Sequence, residues 1–568
     1  MSIPLIFGPG AQRRRDYTTV PTRLSDPPNP FQSSYYPQSK AITYSLSADP
    51  SAWGVANLTP DYREPDDRLH YPDWRRDRGK DMGGSIATCR GLTNLGCVVL
   101  LSVLIVALFR EMAVSTASIY RPSPAHTFSG FNLGGINGTG QVPMMVGNWG
   151  PIDPDTPEDV RIKTGWTSEG EFTLVFSDEF NTEYRTFYPG DDPFWEAVDL
   201  HYWGTNNLEW YDPEAITTKD GALRITLSQK PDHGLDYMGG MLTTWNKFCF
   251  TGGIVEVAVQ LPGASDISGL WPAIWSMGNL GRAGYGATLD GLWPYSYDSC
   301  DVGTMPNQTR NGLPLAATQD GDTGYGGALS YQSGQRLSRC TCPGSVHPGP
   351  MHADGTYVGR AAPEIDLFEG QIDATLGGQV SQSCQWAPVN HAYEWFNATG
   401  NNMQVYDPEI SAMNGYKGGV YQQATSIVTQ TNHACYELEA GCYAIYGFEY
   451  VPGFDDAVRL TFCSSNKKAW TLRQGGLAED PLVEIGPRPI PQEPMHLIMN
   501  LGMSKNFGEV DLDHLTFPTT MSIDYIRVYQ PSDNINIGCD PPGFPTSTYI
   551  EQVDDYKQVV PGNRCVAR

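Results

Sequence analysis

Three carboxylates stand within six residues, at Glu364, Asp366 and Glu369 of the segment EIDLFE. Ile365, Leu367 and Phe368 mark that segment as a strand, and acids at such density are uncommon on a strand that faces a core. Side chains alternate along a strand, so Glu364 and Asp366 share a face while Glu369, five positions on, points to the other. A β-bulge at Leu367 or Phe368, one extra residue, would reset the alternation and set all three acids on one face. Two glutamates leaning together there, about 5 to 5.5 Å apart, suit a double-displacement reaction at a glycosidic bond. Glu364 is then the nucleophile. Glu369 is the general acid and later the base, its proton held near neutral pH by partial burial and neighbouring negative charge. Asp366 between them hydrogen-bonds the nucleophile and tunes both. The pattern alone is not specific: acids make up 63 of the 568 residues, so three at this spacing arise by chance roughly once in such a chain. Context has to decide.

Other chemistry-bearing residues sort quickly. Trp271 and Trp275 are four apart on a strand-like segment and share a face, so either can stack an indole on a pyranose, with core packing as the alternative for each. The run GRAGYG (281–286) has glycines but no Lys-Ser/Thr and no strand-to-helix setting, which argues against phosphate binding. The ten histidines form no HExxH pair, and Cys340 and Cys342 are spaced too closely for a structural zinc half-site. No catalytic metal or cofactor is expected.

The elements that must position the acids are β in character. The chain is rich in Gly (61), Pro (44), Tyr (30) and Trp (14), and runs such as FTLVFS, GALRITLS, GGIVEVAVQL and MSIDYIRVYQ alternate with turn signals from about 170 to 530. That is an all-β pattern, a sandwich or a barrel. A net charge of -26 excludes a basic face for nucleic acid. The acidity is uneven: residues 1–90 hold 12 Lys and Arg against 10 Asp and Glu, the remainder 25 against 53. The division falls at GLTNLGCVVLLSVLIVALF (91–109), 19 residues without a charge, nearly long enough as a helix to span a hydrocarbon core of about 30 Å. It reads as a retained type II membrane anchor, too far from the N-terminus for a cleaved signal, with a buried core helix as the alternative. Arg75, Arg76, Arg78, Lys80 and Arg90 precede it and only Arg110 and Arg121 follow, which keeps the N-terminus cytosolic. Ten of the twelve cysteines and the sequons at Asn137, Asn307 and Asn397 then fall on the lumenal side, where disulfides form. The organisation expected is a disordered tail over 1–88, a helix over 91–109, a Gly/Pro-rich stem over 110–160, a β domain over 161–535 and an extension over 536–568.

Five landmarks in order carry a resemblance to the laminarinase-like glycoside hydrolases of family sixteen: LVFSDEF (174–180), GIVE (253–256), LWPAIW (270–275), HLIMN (496–500) and DYIRVYQ (524–530), around an ExDxxE segment with the spacing of a bulged strand. The segments FNLGGINGTGQVP, GLWPYSYDSCDVGTMPNQT and IGCDPPGFPT, with the anchor, are similar to the membrane-bound fungal proteins associated with β-1,6-glucan synthesis. The resemblance implies a concanavalin-like β-sandwich (jelly roll), a β-glucan oligosaccharide or polysaccharide as partner, and Glu256, Trp386 and Asn500 beside Trp271 and Trp275 as hydroxyl-recognising or stacking residues. It allows a structural calcium ion, although no loop with calcium-ligand spacing is visible. It implies a place in the secretory pathway, at the endoplasmic reticulum, Golgi or plasma membrane. Two departures stand out. An insertion over about 295–362 precedes the first catalytic glutamate and either caps one end of a cleft or binds a partner, and Gly502 stands where some relatives place a sugar-stacking tryptophan. The expected activity is a retaining β-glucan glycosidase or transglycosylase; a catalytically silent glucan-binding lectin, or an adaptor acting through its tail, is the alternative.

Overall fold

The computed structural model describes residues 150–397, 402–455 and 458–557. The tail, the apolar segment 91–109, the stem as far as 149, Asn137 and Cys565 lie outside the described residues; among the described residues no helix is long and apolar enough to cross a membrane.

Short β-branched and aromatic segments pair into two mainly antiparallel sheets, one of 10 and one of 11 strands. Strands Gly377–Trp386, Glu364–Asp373, Trp271–Gly278, Met495–Gly502 and Tyr237–Thr243 lie side by side at the centre of the larger sheet. The smaller sheet sets Thr519–Pro531, Gly253–Gln260 and Ala444–Val451 together. Alternate residues meet between the sheets: Ile274, Val380, Leu497 and Met499 from one, Val255, Val257, Phe448 and Ile526 from the other, all at 0% exposure in one continuous core. The domain is therefore an all-β sandwich, as its composition implied.

The larger sheet's outer face is unusual in being partly roofed. A second apolar cluster forms there from Leu200, Ala273, Trp275, Met277 and Ile498 on the strands, and Leu292, Tyr549 and Ile550 from a connection and the C-terminal segment. The described part of the extension, 536–557, is thus part of the body, tied back by the Cys249–Cys539 disulfide and by helix Ser547–Gln552. Residues 151–160, expected as the end of a stem, also pack on the sandwich: Ser177 N donates to Pro151 O, and Thr156 lies buried against Ser177 and Glu179. Of the other cysteines that follow the apolar segment, Cys300–Cys340 and Cys435–Cys442 are bonded, while Cys384 and Cys463 are buried thiols and Cys342 an exposed one.

The insertion is folded. Its own core joins Tyr295, Tyr297, Leu329 and Ala361 to Val389 and Tyr393. Arg360, fully buried, pairs through two nitrogens with Glu493, whose carboxylate also accepts from Ala361 N, so the chain enters strand Glu364–Asp373 from a fixed point. Tyr331 N donates to Val420 O and Gln332 Nε2 to Tyr421 O, which ties the insertion to the loop that carries Tyr416.

Candidate active site

Strand Glu364–Asp373 contains the bulge. Against Trp271–Gly278, Asp366 pairs with Trp275 and Phe368 with Ile274, leaving Leu367 as the extra residue. Against Gly377–Trp386, Asp366 pairs with Ser383 and Glu369 with Ser381, so that Leu367 and Phe368 together face Gln382. Both Leu367 and Phe368 point into the sandwich core, and Glu364, Asp366 and Glu369 emerge on the outer face. The two glutamates remain half-buried and reach solvent, while Asp366 is buried.

Each acid has different partners. Trp293 Nε1 donates to Glu364 at 2.6 Å, and Trp271 Nε1 to Glu369 at 3.1 Å. Asp366 Oδ2 accepts from Ser383 Oγ at 2.8 Å and from Gln385 Nε2 at 3.0 Å. Burial, followed by the charges of Asp366 and Glu369, raises Glu364 well above the ordinary carboxylate range. Burial and then Asp366 push Glu369 up to about 8, against the donors Trp271 and Ser383. Burial lifts Asp366 to about 6, opposed by its hydrogen bonds from Gln385, Ser383 and Glu364. Three carboxylates so close cannot all be ionised. The donors gather on Asp366 and Glu364, so charge settles on that pair, which shares a proton, and Glu369 keeps its own near neutral pH.

Of the residues singled out from sequence, Trp271, Trp275 and Asn500 join the acids on this face; Glu256 and Trp386 do not. Trp271 is half-buried, stacked on Phe507 with ring centroids 4.3 Å apart and planes 6° from parallel. Trp275 is buried and donates Nε1 to Asn500 Oδ1 at 2.8 Å, so it packs under the site. Trp386 belongs to the sandwich core, donating Nε1 to Thr425. Glu364 pairs with Gln385, so Trp386, one residue further, must face the other way. Glu256 is displaced for the same kind of reason: Val255 and Val257 face the core, and Glu256 emerges on the outer side of the smaller sheet, paired with Lys163 and Tyr525. Sequon Asn307 is exposed and Asn397 half-buried.

Residues that the sequence reading passed over complete the site. Trp293, just ahead of the insertion in the segment GLWPYSYDSCDVGTMPNQT, holds Glu364. Ser381, Ser383 and Gln385 form a polar alternation in SQSCQW (381–386), visible once that segment is read as a strand. Tyr202 and Tyr416 are raised by burial and then by the charges of the clustered acids, Tyr416 to about 12. Gly502 has a steric cause: a Cβ there would come within 2.2 Å of Glu209 Oε1. Glu209 is fully buried, accepts from Asn207 Nδ2 at 2.7 Å and Met503 N at 2.9 Å, and burial pushes it up to about 7. A tryptophan at 502 would have to displace that carboxyl.

Two expected results follow from this electrostatics. Phenylalanine at 293 removes the indole N–H that opposes the rise of Glu364, so Trp293→Phe should move the titration of the Glu364–Asp366 pair to higher pH, read from the carboxyl bands by infrared difference spectroscopy across pH 4 to 9. The second concerns stability. Glu209 and Glu369 have folded-state values of about 7 and about 8, above their ordinary 4.5, so the folded state holds the extra protons and stability is lost as pH rises through that window. His347 and His496, pushed by burial down to about 4 and about 3, act oppositely, and because their unfolded imidazoles are still half protonated at pH 6.5 they return about 0.8 kcal/mol between them above it. Between pH 6.5 and 8.5 the domain should lose roughly 2 kcal/mol net, a fall in Tm of about 2 °C by calorimetry. A Tm that is flat or rising across that interval contradicts the assignment.

The sequence of residues 56–560 matches the family model described as "Beta-glucan synthesis-associated protein SKN1/KRE6/Sbg1". The chain belongs to the SKN1/KRE6/Sbg1 family. It is 41% identical over 504 residues to the beta-glucan synthesis-associated protein SKN1 of Candida albicans, covering 87% of this chain and 64% of that protein. It is 39% identical over 506 residues to KRE6 of Saccharomyces cerevisiae, covering 87% and 65%. The chain thus spans just under two thirds of the length of these relatives. A shorter stretch of 179 residues, 27% of the chain and 33% of the relative, is 31% identical to the endo-1,3-1,4-beta-glycanase EglC of Rhizobium meliloti. Among solved structures, the laminarinase catalytic domain of Thermotoga maritima is matched over 63% of this chain and 98% of its own, at 19% identity and a TM-score of 0.34. The membership expected from the sequence landmarks is therefore established for the SKN1/KRE6/Sbg1 family.

Proposed function

We propose that this protein is a retaining glycosidase or transglycosylase acting on β-glucan in fungal cell-wall β-1,6-glucan assembly. One observation carries the reading: a single extra residue at Leu367 places three carboxylates on one face, each with a different set of hydrogen-bond donors. The names of its relatives, which speak of β-glucan synthesis and of glycanase activity, supply the substrate class.

In the reaction, Glu369 donates its proton to the departing glycosidic oxygen while a Glu364 carboxylate oxygen bonds to the anomeric carbon. Glu364 must be ionised to attack, and the proton it shares with Asp366 passes to Asp366, whose carboxylate Ser383 and Gln385 hold in place. Glu369, now ionised, deprotonates water or an incoming sugar hydroxyl, which displaces Glu364 and restores the starting configuration. Water gives hydrolysis and a sugar gives transfer. The proposed setting is a type II membrane protein of the secretory pathway, anchored by 91–109, with N-glycans at Asn137, Asn307 and Asn397. Supporting it are the lumenal-side disulfides and the exposure of Asn307.

The decisive experiment incubates the detergent-solubilised full chain with defined β-1,3- and β-1,6-linked gluco-oligosaccharides and follows new anomeric signals by proton NMR. Products that first appear in the β configuration support the reading. First appearance of α products, or binding without any turnover, overturns it, and the second outcome leaves a tethered glucan-binding protein.

A further inference from the structure

Gln382 is a polar residue in an apolar place. It lies on strand Gly377–Trp386 with its side chain at 0% exposure between Val380 and Cys384, both of which face the sandwich core. Alternation along the strand calls for an apolar residue there, and burying a carboxamide carries a cost unless it is hydrogen-bonded.

Its partners explain its presence. In the ladder Gln382 is the one residue facing the pair Leu367 and Phe368. The bulge takes the Leu367 carbonyl out of the regular backbone pattern, and Gln382 Nε2 donates to that oxygen at 2.8 Å. The other hydrogen of the same nitrogen goes across the sandwich to Cys463 O at 2.9 Å, on strand Arg459–Ser464 of the smaller sheet. Cys463 sits at an irregularity too: the pairing with Lys467–Arg473 shifts between Phe462 and Cys463. One amide thus satisfies a carbonyl at a break in each sheet. Both partners are acceptors, so the nitrogen end must face them. Oε1, on the other end, is buried with no hydrogen-bond partner among the described residues. A donor pair kept at the expense of an unsatisfied acceptor points to a role for the two N–H groups.

We propose that Gln382 is a positioning residue that locks the catalytic bulge from inside the core, fixing the Leu367 carbonyl so that Glu369 is held on the face of Glu364. The inference rests on the reading of Glu369 as the general acid; the holding of the bulge itself does not. Without the lock, the Leu367 peptide is free to rotate and the carboxyl two residues on moves relative to Trp271 and Glu364. Misplacement by about 1 Å is enough to lower turnover about 100-fold.

The test compares the full-chain protein with Gln382→Met, which removes both donors at similar volume, and Gln382→Glu, which keeps the shape should the methionine variant fail to fold. Thr425→Val is the control, because it removes the buried partner of Trp386 in the same core and touches no part of the bulge. Amide exchange read by mass spectrometry should speed up at least about 10-fold in the peptide spanning 364–370 of the Gln382 variants, with the 254–260 peptide unchanged. In Thr425→Val both peptides should keep their rates. In activity, kcat should fall about 100-fold with KM within about threefold, and the alkaline limb set by Glu369 should shift, none of which the control reproduces. Unchanged exchange over 364–370, or equal acceleration in both peptides, overturns the proposal, as does a variant that loses Tm like the control but keeps kcat and the alkaline limb. If the unaltered protein turns over no β-glucan, the enzymatic reading falls, and the exchange data alone decide whether Gln382 holds the bulge.

Discussion

Glu364→Gln is expected to cut turnover of β-glucan oligosaccharides about 10⁴-fold, a rise of roughly 5 kcal/mol in the barrier, while oligosaccharide affinity stays within about threefold. The carboxylate is the atom donor for the covalent bond to the anomeric carbon, and an amide at the same place has neither the charge nor the nucleophilicity to form it. The variant should nevertheless fold. Trp293 Nε1 already supplies a donor, so the glutamine oxygen can take the place of the Glu364 oxygen that accepts from it. The glutamine nitrogen can donate to Asp366, which then carries the charge of the pair alone, and replacing a half-buried carboxyl raised well above its ordinary range removes a desolvation cost. Chromatography of the products and calorimetric titration of a non-cleaved ligand separate the two quantities. A variant that keeps more than a tenth of the activity removes Glu364 from the nucleophile's role. Equal wall-glucan content in cells carrying either form, with binding intact, would instead assign the protein's contribution to holding glucan.

How far the site was legible in the sequence depends on which fact fixed each residue. Alternation told that Glu369 could share a face with Glu364 only through an extra residue at 367 or 368, and the pairing with Ile274 and Trp275 places it at Leu367. Register told nothing for the neighbouring strand. Whether Gln385 or Trp386 faces the acids hangs on a one-residue choice, and only the pairing of Glu364 with Gln385 makes it. A large aromatic implied by the family resemblance drew the wrong choice, because an indole that could stack on sugar serves equally as the filling of a sandwich. Glu256 shows a similar limit: an acid amid valines signals an amphipathic strand, and two sheets each have an outer face.

The insertion was legible as an insertion and not as a support. Its contribution is spread over groups far apart in sequence, Arg360 on Glu493, Gln308 on Val389, Tyr331 on Val420, none of which has a local signature. Gly502 makes the converse point. The absence of a side chain there could be seen in the sequence, but its cause, the Glu209 carboxyl crowding the same space, lies almost three hundred residues upstream. The Asn207 that holds Glu209 also donates to the Tyr211 hydroxyl, which in turn accepts from Asn500, the partner of Trp275. A polar chain of this kind fixes the floor beneath the acids in one arrangement, and buried networks that are satisfied along their length do so more firmly than apolar packing.

Glu369→Gln should separate the two half-reactions, and this is where the assignment of acid against nucleophile is most exposed. With a natural sugar leaving group, bond cleavage needs a proton on the departing oxygen, so kcat should fall about 10³-fold, within the range that general acid catalysis supplies. With a dinitrophenyl leaving group, which departs without that proton, the first step should proceed and the glycosyl-enzyme on Glu364 should accumulate, because no base remains to activate the acceptor. Azide needs no base. Its terminal nitrogen can attack the anomeric carbon, displace the Glu364 carboxylate and leave as a β-glycosyl azide, so adding azide should restore turnover of the activated substrate roughly 10- to 100-fold, with retained configuration by NMR. The alkaline limb near pH 8 in the unaltered protein should vanish in this variant, since the group placed at about 8 is gone. An α-glycosyl azide would mean that azide had entered on the face opposite Glu364, with no covalent intermediate there, and would exchange the roles of the two glutamates. An alkaline limb that survives the substitution would assign the titration to Asp366 and Glu364, the pair joined by a shared proton, and would leave Glu369 ionised at the pH where it is required to give its proton away.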